Sequence, residues 1–77
     1  MSQCEMILHH LLDGKSISAI EALNDFGCFR LAARIDELRN DGYDIRTEMV
    51  ENKATGKRFA RYWMPKDEIE RIKDVAA

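Results

Sequence analysis

The chain is short of the residues that hold unusual folds together: in 77 residues there are two cysteines, one proline and four glycines. Two thiols, Cys4 and Cys28, are too few for the disulfide framework of a small secreted domain, so a cytoplasmic protein is expected. No apolar run approaches the roughly 20 residues that a membrane-spanning helix needs. The opening segment has no basic stretch and carries His9, His10 and Asp13 in or beside its apolar part, so a signal peptide is not expected. No linker, low-complexity tract or internal repeat divides the chain. With 45% hydrophobic and 34% charged residues, what remains is one small soluble globular domain.

Chemistry-bearing motifs are also missing. There is no Walker loop, dinucleotide fingerprint or serine-nucleophile motif. His9 and His10 lie about 100° apart on a helix and, with the two cysteines, lack any zinc spacing, so no metal or cofactor is expected and the histidines read as surface residues. A thin core leaves little wall for a catalytic pocket, and the protein reads as a non-enzyme. Cys4 reads as a small core residue and Cys28 as packing in a turn.

Charge is present but uneven. The net charge is −2, yet residues 1–29 sum to −3, residues 30–61 to +2 and the remainder to −1. An acidic total argues against indiscriminate binding of nucleic acid, while the basic middle keeps that function open.

The patterning predicts helices first. Ser2 and Glu5 make a capping box before an apolar stripe of Cys4, Ile7, Leu8, Leu11 and Leu12, and Gly14 stops a helix over 3–13. Ser18 and Glu21 repeat the box, Ile17 is placed to staple onto Ala22, and Gly27 ends a second helix of about eight residues. A third helix is expected from Cys28 or Phe29 to about Asn40, with Leu31, Ile35 and Leu38 as its buried edge. After Gly42 the period falls to two. Strands are expected over 44–50 and 58–64, joined by a polar turn containing Gly56, with Ala60, Tyr62 and Met64 inward and Phe59, Arg61 and Trp63 outward. Pro65 opens a tail helix with Ile69, Ile72 and Val75 or Ala76 on one side, which packs on its own domain or on a second copy.

Three helices followed by a hairpin is the order of a winged helix. The run from Glu21-Ala22-Leu23 through Phe26-Gly27-Cys28-Phe29-Arg30-Leu31-Ala32-Ala33-Arg34-Ile35 to Gly42-Tyr43-Asp44-Ile45 resembles the winged helix-turn-helix domains of small phage and prophage proteins. Gly56-Lys57-Arg58-Phe59-Ala60-Arg61-Tyr62 resembles their returning wing strand. The resemblance covers about residues 3–64. It implies a winged helix-turn-helix over 1–64 and double-stranded DNA as partner, and leaves the tail helix over 65–77 outside; with that added helix the expected fold is α+β.

On that reading helix three enters the major groove and the wing follows the backbone. Lys53, Lys57 and Arg58 at the wing tip, and Arg61 on the outward face, are expected on phosphates. Arg30 is the best candidate for a base contact, Ala33 lies on the arc facing the groove, and Arg34 grips backbone or covers the core edge. The amide end of helix two, near Ser18, is a further phosphate candidate. The same arc carries Phe29, Asp36, Glu37 and Asn40, with Arg39 on its flank, which is poorly suited to direct readout. Two acids there, with exposed aromatics, keep open a protein-interaction module on the same scaffold. Phe59 and Trp63 are expected to cover the tail helix or, alternatively, to stack single-stranded bases. A homodimer would supply a second half-site.

Overall fold

The computed structural model describes the backbone of residues 2–76 and the side chains of residues 2–74. Chain order is α1 (Gln3–Leu12), β1 (Ile17–Ser18), α2 (Ala19–Phe26), α3 (Leu31–Asn40), β2 (Arg46–Glu51), β3 (Arg58–Trp63) and α4 (Lys66–Ala76). The fold is α+β, with an antiparallel sheet in the order β1-β3-β2.

Local chemistry sets the first two helices. Ser2 Oγ accepts from Glu5 N at 3.2 Å and caps α1. At α2 the box is complete: Ser18 Oγ accepts from Glu21 N, and Ser18 N donates to Glu21 Oε1 at 3.0 Å. Gly27, at φ 64°, turns α2 off in the left-handed region, where a Cβ would be strained. Its amide donates to Leu23 O, and Cys28 N donates to Ala22 O.

Two elements differ from the expectation. The third helix starts at Leu31, not at Cys28 or Phe29, because Arg30 has φ −128° and ψ 59°, outside the helical region. Cys28 is turned into the core instead, so residues 27–30 form the turn of the helix-turn-helix and leave Phe29 and Arg30 exposed ahead of α3. The sheet has a third strand, β1, in which Ile17 pairs with Tyr62 and Ser18 with Arg61. Two residues are too few to show a period of two. The hairpin pairs Arg46 with Trp63 through to Glu51 with Arg58, and Gly56, at φ 72°, closes its tip by donating its N–H to Asn52 O at 2.7 Å.

The core gathers Ile7 and Leu11 of α1, Ile17, Ala22, Cys28, Leu31, Ile35 and Leu38, then Ile45 and Met64 at the ends of the hairpin. Tyr62 packs against it from the inward face of β3. The tail helix packs on its own domain: Ile69 and Ile72 lie against the core, and Glu68 Oε2 accepts from Asp44 N at 2.6 Å. Val75 and Ala76, expected on the same face, have side chains outside the described residues. His10 is not a free surface histidine. Its Nε2 donates to Ser16 O at 2.9 Å, and its ring meets Phe26 edge-on at 5.6 Å. Among the described residues, no helix is long and apolar enough to cross a membrane.

Candidate nucleic-acid interface

The fold sorts the basic residues into those held by the protein and those left to solvent. Arg39, near the end of α3, donates through Nε and Nη2 to Ile45 O at 3.0 and 2.7 Å, and through Nη2 to Thr47 Oγ1 at 2.9 Å. Its guanidinium also lies 5.9 Å from the centre of the Tyr62 ring. It clamps the helix to the start of β2. Arg46 is paired with Asp44 at 2.8 Å and Arg71 with Glu68 at 2.7 Å.

Arg61, expected on phosphates, is half-buried and engaged. It stands on the outer face of β3, where β1 runs alongside, so its Nη2 reaches Glu21 Oε1 at 2.6 Å and its Nε donates to Ser16 Oγ at 3.0 Å. Burial pushes the Glu21 carboxyl up, but the Ser18 hydroxyl and amide and the Arg61 guanidinium outweigh it and hold the group below its ordinary range. This carboxylate already occupies the amino end of α2, and Ser18 itself is buried. A phosphate there would have to displace the Glu21 carboxylate from the Ser18 amide.

Arg34 sits on the flank of α3 that turns toward α1. Arg34 Nη1 meets Glu37 Oε1 at 3.0 Å, and its Nε is buried without a partner. Cys4 Sγ, on α1, donates to Glu37 Oε2 at 2.9 Å. Burial first, and then the Glu37 carboxylate, push the Cys4 thiol above its ordinary range. Ala33 is half-buried, whereas Ala32 is exposed. Of the arc that the helical wheel predicts, Phe29, Asp36, Glu37 and Asn40 are exposed, and only Ala33 is not, its place being taken by Ala32.

Six cations remain. Lys15, Arg30, Lys53, Lys57, Arg58 and Lys73 are exposed and, among the described residues, make no ion pair. Arg30 precedes α3, Lys53, Lys57 and Arg58 lie at the wing tip, Lys15 follows α1 and Lys73 lies on α4. Between Arg30 and the wing tip runs a mostly apolar groove of about 580 Å³, bounded by Ala19 and Ile20 of α2, Leu31 and Ala32 of α3, and Asn52, Phe59, Ala60 and Tyr62 of the wing, with Ser18 and the Glu21–Arg61 ion pair also in its wall. Phe59 lines this groove. Trp63, on the same outward face as Arg61, stands opposite Arg46 and is 38% exposed. The groove, and the strong exposure of Ile20, were not legible in the sequence, because Ile20 follows the capping serine like any first-turn residue.

Among the described residues, no group of three or more histidine, cysteine or acidic side chains is arranged to hold a metal. A family model described as a winged helix-turn-helix domain matches residues 2–67, nearly the whole chain. No curated protein and no solved structure matches it.

Proposed function

This chain belongs to the winged helix-turn-helix family, whose members are in general non-enzymatic DNA-binding domains of regulators, and on that premise we propose a small phage- or prophage-type DNA-binding protein, a transcriptional regulator or architectural factor of the cytoplasm. It works by occupancy, without a cofactor. The start of α3 enters the major groove with Arg30 toward base edges, and the wing lays Lys53, Lys57 and Arg58 along the backbone. A homodimer supplies the second half-site, because one acidic domain offers few phosphate contacts.

The observation that carries this reading is the sorting of charge. Four of the six unpaired cations lie at the start of α3 and at the wing tip, where a winged helix would meet a duplex, while Arg34, Arg39, Arg46, Arg61 and Arg71 are bound within the protein. The test is a salt titration of binding to random-sequence duplex. Replacing Lys57 and Arg58 together by alanine should weaken binding on every sequence and lower the slope of log affinity against log salt by about two. An unchanged affinity and slope would refute the wing assignment.

A second reading, a winged-helix module that binds a host or phage protein, is favoured by one observation, the exposure of Phe29 and Met49 (85% and 60%) on a chain of this size. It predicts a folded protein with no salt-dependent DNA binding even at low ionic strength.

A further inference from the structure

The wing cations account for affinity, not for the apolar surface between them and Arg30. Ile20 is 70% and Phe29 85% exposed, and Ala32 is also open to solvent. Ile20, Ala32 and Phe59 all line the groove, and Phe29 lies two residues ahead of Leu31 in its wall. The polar side chains in or near it are engaged within the protein, with Glu21 in the wall paired to Arg61. Arg34 and Glu37 bond to each other beside α1, Arg39 is fixed on Ile45 O, and Ser18 and Glu21 close their own box. What the amino ends of α2 and α3 offer a duplex is mostly hydrocarbon.

We propose that this surface reads DNA through the 5-methyl groups of pyrimidines, with Ile20 and Phe29 as the residues that determine specificity for thymine. The inference rests on the DNA-binding reading and adds its sequence preference. In the major groove the thymine methyl is the one apolar feature on a base edge, and alanine and phenylalanine are suited to contact it. Charge complementarity argues for the same occupant. Asn52 and Phe59, which line the groove, are the chain neighbours of Lys53 and Arg58, so the hydrocarbon is flanked by cations at the spacing of adjacent residues. A polyanion with apolar groups between its strands of charge meets both requirements. Asp36, on the exposed arc of α3, accepts only, and so favours base edges that donate an amino hydrogen, adenine or cytosine.

The experiment compares the full chain on alternating A-T and A-U duplexes of equal length at low salt, which differ only in the methyl group. Each methyl buried is worth about fourfold in affinity, so two contacted methyls make the thymine duplex about fifteenfold tighter. A second arm compares G-C duplexes with and without 5-methylation of cytosine, and methylation should strengthen binding. Ile20→Ser with Phe29→Ser, both exposed and checked for folding by circular dichroism, should erase these ratios while leaving the salt slope unchanged. Equal affinity for thymine and uracil duplexes, with salt-dependent binding intact, would overturn the methyl readout and leave the DNA-binding reading standing. Absence of binding to all four duplexes would overturn both.

Discussion

Glu68 offers the sharpest test of how the tail helix is held. It is one of the few buried polar residues, 8% exposed, and its carboxylate does two things. Oε2 accepts from the Asp44 amide at 2.6 Å, tying α4 to the connection between α3 and β2, and both oxygens accept from Arg71 at 2.7 and 3.0 Å. Glu68→Ala removes both. A hydrogen bond to a charged acceptor is worth about 1.5–3 kcal/mol, and since Asp44 is exposed its freed amide is rehydrated, which favours the lower end. The Arg71 pair is an i, i+3 contact whose cation is mostly in solvent, and it adds no more than about 0.5 kcal/mol. Together these come to about 2 kcal/mol, or a fall in Tm of about 8–16 °C for a domain of this size.

The pH dependence separates this cause from general loosening. The Arg71 guanidinium, followed by the Asp44 amide, holds the Glu68 carboxyl below its ordinary value against the opposing effect of burial. The folded state therefore binds this proton less readily than the unfolded chain, whose glutamates titrate near about 4.3. The stabilisation is whole above that value and is lost as pH falls through the lower folded value. Thermal melts of both proteins, followed by circular dichroism at neutral pH and at about pH 2, should show a large gap that closes in acid. Glu68→Gln, which keeps an acceptor without the charge, should fall between them. A Glu68→Ala protein melting within a degree or two of the parent at neutral pH would refute the reasoning, as would a gap that persists undiminished in acid.

The remaining predictions concern the clamp, the thiol and the copy number. Arg39→Lys keeps the charge but not the fork on Ile45 O, and should cost about 1–2 kcal/mol in urea unfolding; full stability would show that the charge alone suffices. Glu37→Gln removes the carboxylate that accepts the Cys4 thiol proton, so alkylation of Cys4 by iodoacetamide at neutral pH should become faster, and an unchanged rate would remove Glu37 as a cause of the raised thiol. With four free cations per chain placed at the start of α3 and on the wing, the salt slope of DNA binding should be about 3.6 for one copy on the duplex and about twice that for two. A slope well above 3.6 from a protein of monomeric mass would contradict the assignment of the contact to those four.

What could be read from the chain is what local chemistry decides. The Ser18–Glu21 box, the stop at Gly27 and the apolar stripes are set by residues within a turn or two of one another, and they mark α1, α2 and the hairpin closely. The start of α3 was not legible, because Phe29 and Arg30 are acceptable helix residues and are excluded only by Cys28 turning into the core. Arg61 and Arg39 have nothing nearby in sequence to announce their partners. Glu21 lies forty residues before Arg61, and the acceptor for Arg39 is a backbone carbonyl, which leaves no trace in a side-chain pattern. The wing cations were legible because exposure at a hairpin tip needs no distant partner.

Net charge is a poor guide to this molecule for the same reason. An arginine bonded to a carboxylate contributes little to the field outside, whereas one at a wing tip acts at full strength. The total of −2 counts both alike. On a molecule 43 Å long, charges farther from a phosphate than the Debye length, about 8 Å at physiological salt, are largely screened. The potential met by a ligand at the wing is therefore set by Lys53, Lys57 and Arg58 against Glu51, the acid standing opposite Arg58 in the ladder, and not by the acids of α4. Glu51 and Arg58 make no ion pair among the described residues, so the ladder leaves the wing net positive, and a chain acidic overall presents a basic edge where its fold would place a duplex.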